Sequence, residues 1–571
     1  MVSGDYKITR RGFVASTFAA LAGGCSQRQS ANRAANSHKT ATIEFEDVTG
    51  QAGINWVHNP CLSGKKYLPE TVGGGGGFLD FDNDGLLDIL LINGAPLPGY
   101  KGPTPQLALY HNNGNGTFTE VSKEVGLHLT EYGYGAAVGD FNNDGWPDIY
   151  ITTLNGNRLF RNDHGKFVDV TRESGTAVAR FTTSAMWLDY NGDGLLDLYV
   201  GNYVHWSPAI DLPCGPNETR QYCPPYQFQG APPILFRNCG DGTFEDVSYK
   251  TGVLGHSSKS LGLALYDFDG DGLADMYVAN DTEPDLLLMN RAHATFEDMA
   301  LQAGTALGAD GSATGSMGVD VATPFNDGRA AIIVGTFAGQ EASLFVSRVD
   351  TTKIPGVPLF QNLNQQCGVA QPTRDRTTFG AAFADFDLDG WQDILLLNGH
   401  IDNDPSLIIN GAVVPYAQPP SLFQNLHNGS FTEATEASGL NVPMIGRGLA
   451  IGDYNNDGLI DLLTFDNRGA VRLWRNKTST INGGWLGVML RGVKSPADGV
   501  GALVSVVSEL GTQRKMVAST RSYLSCSDMR VHFGTGGKPV ALLQVRWPSG
   551  MVTQMNNPPA NRYLTITEPH K

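Results

Sequence analysis

Short apolar runs recur along this chain, each opened by an aspartate: Asp88-Ile-Leu-Leu-Ile, Asp148-Ile-Tyr-Ile-Thr and Asp393-Ile-Leu-Leu-Leu are examples. Runs this brief, ended by Asn or Gly, read as buried strands rather than helices. A second apolar motif follows them: Leu109-Tyr-His-Asn112, Leu159-Phe-Arg-Asn162, Leu235-Phe-Arg-Asn238, Leu359-Phe-Gln-Asn362, Leu422-Phe-Gln-Asn425 and Leu473-Trp-Arg-Asn476. The first three lead through a Gly/Asn turn to Phe118, Phe167 and Phe244, the pattern of a hairpin. Each unit thus predicts four strands. Beyond Trp485 the pattern becomes alternation of apolar and polar residues, over Trp485 to Leu490, Ala502 to Val507, Leu542 to Trp547 and Tyr563 to Thr567. That predicts a small all-β sandwich.

Each apolar run is preceded by nearly the same acidic turn. The first copy is Asp80-Phe-Asp82-Asn-Asp84-Gly-Leu-Leu-Asp88. Positions one, three, five and nine are Asp80, Asp82, Asp84 and Asp88, then Asp140, Asn142, Asp144 and Asp148, then Asp189, Asn191, Asp193 and Asp197. They continue as Asp267, Asp269, Asp271 and Asp275, as Asp385, Asp387, Asp389 and Asp393, and as Asp453, Asn455, Asp457 and Asp461. Position six is always Gly. This spacing folds hard oxygen ligands around one cation, with glycine allowing the sharp turn. The expected cofactor is Ca²⁺, about six ions. An EF-hand would place a bidentate Glu at position twelve. Leu91, Ile151, Val200, Val278, Leu396 and Thr464 stand there instead, so each acidic loop reads as a strand-to-strand turn.

The interval from Asp267 to Asp385 is about two units long, and a degenerate copy fills it. Thr323, Phe325, Asp327 and Ala331 hold its four ligand positions, with Gly328 at position six. One carboxylate predicts a loop without metal. The array opens with Phe45-Glu-Asp-Val48, the last strand of a unit, and ends at Leu473-Trp-Arg-Asn476, a unit lacking that strand. The expected fold is all-β: a seven-bladed β-propeller with a small C-terminal β-sandwich domain. An open solenoid is the alternative.

The formal net charge of −17 changes little, because six bound Ca²⁺ would cancel most of it. No basic cluster argues for nucleic acid. No apolar run reaches the length of a membrane span. Thr9-Arg10-Arg11-Gly12-Phe13-Val14, followed by a short apolar stretch, is similar to a twin-arginine export signal. Leu21-Ala-Gly-Gly-Cys25 is similar to a lipoprotein cleavage site, although Leu sits four residues before the Cys; lipidation of Cys25 and ordinary cleavage nearby are both open. The chain is therefore expected to be exported, to the periplasm, the cell surface or beyond, with a lipid anchor as the one membrane attachment. Six further cysteines can oxidise there. Cys214 and Cys223, in one Pro-rich loop, form the expected local pair.

The repeats resemble FG-GAP units, the calcium-loop propeller units of integrin α chains, from about Ile43 to Lys477. The segment from about Asn482 to Glu568 is similar to the ASPIC/UnbV domain, through Trp485-Leu-Gly-Val, Asp498-Gly-Val-Gly-Ala502, Tyr523-Leu-Ser-Cys-Ser-Asp528, His532-Phe-Gly534 and Arg546-Trp-Pro-Ser-Gly550. Together they resemble bacterial members of the cartilage acidic protein family, which implies an extracellular calcium-binding protein. The organisation expected is an export segment (1–25), a linker (26–42), the propeller (43–477) and the C-terminal domain (482–568).

If the acidic turns share one face, the return strands end at the other. Asn93, Thr153, Asn202, Asn280, Thr336, Asn398 and Asp466 stand there, either as a polar ring at the channel mouth or as residues that suit strand ends. The long loops lie on the same face. The third carries Tyr203, His205 and Trp206, which suit a protein or glycan partner, or a self-packed cover. His400, in the sixth, is a candidate ligand or a local hydrogen-bonder. The leading expectation is a calcium-stabilised binding or scaffold protein, with adhesion as one form of it. The alternative is an extracytoplasmic enzyme with its site on the long-loop face. No HExxH, Gly-x-Ser-x-Gly or phosphate loop was found.

Overall fold

The computed structural model describes residues 42–215, 220–255, 258–350, 356, 358–403, 408–409, 411–480 and 483–570. The export-type segment with Cys25, and residues 26–41, lie outside the described residues. The described chain is nearly all β, with five four-residue helices.

Seven of the sheets share one plan. Gly133–Gly139, Asp148–Thr153, Arg158–Asn162 and Phe167–Asp169 lie side by side and antiparallel, in chain order. The inner strand runs to the acidic turn, the second returns, and the last two form the hairpin. The first two strands bury every residue, which is why they read as continuous apolar runs rather than as alternation. The final sheet of the set is completed by the chain's start: Phe45–Asp47 pairs with Arg472–Asn476, Phe45 opposite Asn476.

The fifth sheet corrects one reading. Its third strand is Ser343–Ser347, and Leu359-Phe-Gln-Asn362 supplies the outer strand Phe360–Asn362 instead. Ser347 stands where the other sheets place asparagine. The motif at Leu359 matches in letters and not in register.

The inner strands of neighbouring sheets touch all the way round, and the last touches the first. Asn456 in the last acidic loop donates its amide to Gly85 O in the first, at 3.0 Å. The ring is closed, which excludes the open solenoid. Closure is tight: a Cβ on Gly262 would lie 2.1 Å from Met317 O of the next sheet.

The C-terminal part forms two packed sheets. One holds Trp485–Arg491, Val531–Gly534 and Tyr563–Thr567; the other holds Leu503–Ser508, Gly511–Met516, Val540–Arg546 and Val552–Asn556. This domain caps the acidic-loop face, and one hydrophobic core runs from the propeller sheets into it, joining Trp187 and Tyr277 to Val488, Val504 and Trp547.

One segment leaves the sandwich. Residues 519–528 enter the central channel as a narrow hairpin, and Ser525–Cys526 pairs in parallel with Gly76 and Gly77 of the first sheet. Ser519 Oγ donates to Val138 O at 2.5 Å, and Thr520 Oγ1 to Ala185 O at 2.9 Å. Ser522 N donates to Val319 O at 2.8 Å. Ser522 Oγ accepts from Ala381 N, and Ser527 Oγ from Ile451 N. Thr520–Arg521 also packs on Ser260–Tyr266. The hairpin therefore touches all seven inner strands. Its tip, Tyr523, is fully buried and donates to Val72 O at 3.1 Å near the opposite face.

The glycine run at Gly73–Gly77 admits this hairpin: a Cβ on Gly75 would lie 2.1 Å from Leu524 O. Gly75→Ala is expected to destabilise the chain by on the order of 3 kcal/mol, as overpacking against backbone does. Chemical denaturation measures this. A midpoint equal to that of the parent protein would show that the hairpin does not fill the channel in solution.

Candidate metal centres and the face opposite them

The six acidic loops repeat one backbone geometry. Position four is left-handed in each, with φ of 58° at Asn83 and 79° at Gly270, and so is position six, with φ of 88° at Gly85. Asparagine and glycine tolerate that region, which explains their places in the motif. Leu388 is the exception at φ 58°.

The first aspartate turns both oxygens inward on the loop. Asp80 accepts from Asp84 N and from Gly85 N, both at 3.0 Å. The fifth position orients the next amide, as Asp84 does for Leu86 N at 2.8 Å. The ninth is the most deeply buried. Asp88, Asp148, Asp197, Asp275 and Asp461 have no exposed surface, and Asp393 has 1 %. Each accepts two backbone N–H groups from different elements. Asp88 takes Phe81 N of its own loop at 3.0 Å and Asn112 N of the third strand at 2.8 Å.

That third-strand asparagine has a role the sequence reading missed. Its side-chain amide crosses to the preceding sheet. Asn162 donates to Phe81 O at 2.7 Å, Asn238 to Phe141 O at 2.8 Å, Asn425 to Pro324 O at 3.0 Å and Asn476 to Phe386 O at 2.9 Å. Asn112 donates to Tyr454 O at 2.9 Å, across the seam between chain start and chain end. The signal was the unvarying Asn at the end of the Leu-aromatic-x-Asn motif.

Carboxylate oxygens converge in the loops that carry four aspartates. Oxygens of Asp80, Asp82 and Asp84 lie within 4.8 Å of one another, as do those of Asp267, Asp269 and Asp271, and those of Asp385, Asp387 and Asp393. Asp82 Oδ1 and Asp387 Oδ1, both at position three, are buried with no hydrogen-bond donor among the described residues. Such groups fit a hard divalent cation. In the loops with asparagine at position three, its amide lies on the position-five carboxylate: Asn142 on Asp144 at 2.8 Å, Asn191 on Asp193 at 2.9 Å and Asn455 on Asp457 at 2.8 Å.

Burial pushes these carboxyls up, and neighbouring carboxylates add to it. Asp80 and Asp453 rise to about 6, Asp140 and Asp387 to about 7, and Asp88 to about 8. Asp148, Asp197, Asp275, Asp393 and Asp461 rise well above the usual range. The cause is desolvation of the charged form, which an opposing charge would offset.

The C-terminal domain supplies some of that charge directly. Arg546 pairs with Asp267. Arg530 donates to Asp453 O at 2.9 Å, and Tyr563 OH donates to Asp453 Oδ2 at 2.8 Å. Asp498 acts the other way: its Oδ2 accepts from Asp140 N at 3.1 Å, and its carboxylate pushes Asp140 further up. In the degenerate fifth loop, Arg514 N donates to Thr323 Oγ1 at 2.8 Å, and its guanidinium reaches Gly328 O at 2.9 Å and Asp350 at 3.0 Å. A guanidinium thus seats at the loop that keeps a single carboxylate, Asp327.

The opposite face departs from the expected polar ring. Asn93, Asn202, Asn280 and Asn398 are buried, with side chains bonded inside the blades. Asn93 donates to Val57 O and Gln106 O, Asn202 to Pro232 O, Asn280 to Pro284 O and Asn398 to Pro419 O. They staple strand ends to loops. Of the third loop, His205 is exposed, Trp206 is buried and donates to Asp211 at 2.9 Å, and Tyr203 OH donates to Asp281 Oδ2 at 2.5 Å. Cys214 and Cys223 are disulfide-bonded, Cα atoms 5.2 Å apart. His400 is buried, its Nδ1 3.0 Å from Asp402 O and its ring against Phe337.

The repeats and the C-terminal domain match known families. Residues 80–151, 140–200 and 229–278 match the FG-GAP-like repeat, and residues 492–571 match ASPIC and UnbV. The chain carries FG-GAP-like repeats and an ASPIC/UnbV domain. It is 26% identical to cartilage acidic protein 1 of Xenopus tropicalis over 347 residues, covering 58% of this chain and 50% of that protein. It is 24% identical to the Homo sapiens protein of the same name over 317 residues, covering 54% and 44%. The chain spans about half the length of these relatives. Among solved structures, the Dos1 propeller aligns with 78% of this chain and 97% of its own at 9% identity, with a TM-score of 0.33.

Two outcomes test the loop geometry. Asn162→Ala removes two amide donations from buried carbonyls and is expected to cost about 2 kcal/mol in denaturant unfolding; no loss would contradict the inter-sheet clip. Carboxyls with raised folded pKa bind protons more tightly folded than unfolded, so their contribution is full below about pH 4 and fades as pH rises through about 6 to 8. In chelator, Tm is expected to fall between pH 5.5 and pH 8.5, with Ca²⁺ flattening the slope. Equal slopes with and without Ca²⁺ would refute the coupling.

Proposed function

We propose that this chain is an exported binding or scaffold protein whose propeller is fastened by calcium. In each acidic loop the residues at positions one, three, five and nine would hold the ion, about six in all. The ion would supply positive charge to carboxylates that otherwise repel one another. Its role is structural.

The observation that carries this reading is the position of the C-terminal domain. It covers the acidic-loop face and fills the channel with residues 519–528. Loops under such a cap suit fastening better than exchange with a partner. The long-loop face is then left for recognition, and it holds a cavity of about 250 Å³. The cavity lining has one carboxylate, Asp281, and His400 stands outside it. That content suits binding better than acid–base chemistry.

Export is supported by the twin-arginine-like segment at Arg10 and Arg11 and by the bridge between Cys214 and Cys223, which suits an oxidising compartment. Among the described residues, no helix is long and apolar enough to cross a membrane.

Thermal melting after metal removal, with Ca²⁺ then added back, tests the structural role. Ca²⁺ at about 100 times its Kd is expected to stabilise the fold by about 2.7 kcal/mol for each independent site. Metal analysis should return about six ions per chain. A melting temperature unmoved by verified calcium removal would rule out the fastening role.

A further inference from the structure

The cavity on the long-loop face has an unusual composition for a packing defect. Its walls are aromatic: Tyr203, Tyr222, Tyr226, Phe337, Phe379 and Tyr523 line it. Three of the hydroxyls are already hydrogen-bonded to the protein. Tyr203 donates to Asp281, Tyr222 to Glu70 Oε2 at 3.0 Å, and Tyr523 to Val72 O. The rings are thereby held in place before any ligand arrives. The volume, about 250 Å³, exceeds the roughly 150 Å³ that admits benzene in an engineered cavity.

Besides the tyrosines, four polar residues break the apolar lining: Thr71, Gln340, Asp281 and Thr282. Thr71 Oγ1 donates to Leu68 O and Gln340 Oε1 accepts from Gly315 N, so both are engaged. Asp281 is half-buried. Among the described residues its hydrogen-bond donor is the Tyr203 hydroxyl, and the nearby ammonium of Lys259 pairs with Glu283 at 3.2 Å. A carboxylate taken from water ordinarily acquires a paired cation. Thr282 beside it has φ 60°, a left-handed conformation costly for a β-branched residue, and its Oγ1 is buried without a partner among the described residues. Strain of this kind collects at ligand sites. Two rings of the lining already carry protein cations, Lys66 Nζ 4.6 Å from the Tyr222 centroid and the Arg447 guanidinium 3.9 Å from that of Phe379, which leaves the other rings for a ligand.

We propose that this chamber binds a small alkylammonium ion. Asp281 is the counter-ion, and the rings of Tyr203, Tyr226, Phe337 and Tyr523 face the alkylated nitrogen. Aromatic faces attract such cations through the ring quadrupole, most strongly where water is excluded. Tyr523 comes from the C-terminal domain through the channel, so the site is complete only when that domain is docked. This inference rests on the binding reading above and gives it a ligand class.

Titration calorimetry on the full Ca²⁺-loaded chain tests it, with choline as probe and 3,3-dimethylbutan-1-ol as its neutral isostere. Choline is expected to bind at least ten-fold more tightly than the isostere. Asp281→Asn should lower choline affinity at least ten-fold, and Tyr226→Ala, at a side chain 69% exposed, several-fold without changing the melting temperature. Equal affinity for the two probes, or an unchanged affinity in Asp281→Asn, would overturn the cationic assignment. So would the absence of choline binding in protein that melts normally with Ca²⁺. In each of those cases the calcium-fastened reading stands or falls separately, on the chelator melt.

Discussion

The structure depends on the buried aspartate that ends each acidic loop. Its two oxygens accept N–H groups from two different elements, the loop's own second residue and the third-strand asparagine. Hydrogen bonds to a charged group are worth about 1.5–3 kcal/mol each. Removing such a carboxylate from water costs several kcal/mol. The two effects are comparable, so the loop is well shaped and electrostatically unfinished. The proposed cation would complete it. The asparagine that orients this aspartate also clips the preceding sheet, so loop geometry and ring closure share one residue.

The C-terminal domain answers the same electrostatic problem with its own side chains. Arg546 meets Asp267, Arg530 and Tyr563 meet the Asp453 loop, and Arg514 occupies the loop whose ligands became Thr323, Phe325 and Ala331. Docking of the domain is thus tied to the charge state of the face it covers. The channel hairpin strengthens the tie, because it adds a parallel pair to the first sheet and bonds to five others. Propeller and C-terminal domain share one core as a result, and the long-loop face receives its floor from the far end of the chain.

Much of this was legible in the residues. Position six had to be glycine because the turn is left-handed there, and a run such as Asp148-Ile-Tyr-Ile-Thr had to be a strand because four such residues cannot bury themselves as a helix. The completion of the last sheet by Phe45–Asp47 followed from one missing strand at one end and one spare at the other. The fifth unit was read correctly at Thr323 and wrongly at Leu359, since a short motif constrains letters and register is set by pairing partners. The polar ring failed for a similar reason. Asn93 and Asn398 look alike in sequence whether they face water or donate to Gln106 O and Pro419 O.

The sequence by itself determined what is local and periodic: the acidic turns, the strands that flank them, the hairpins and the worn copy among them. Those features follow from backbone sterics and from spacing within a few residues. Only the tertiary structure decided which surfaces meet. That Gly75 makes room for Leu524, that Arg514 seats beside Thr323, and that Tyr523 joins Asp281 and Tyr203 in one chamber depend on contacts across hundreds of residues. No periodicity records such contacts, because a glycine, an arginine or a tyrosine carries no local mark of its distant partner.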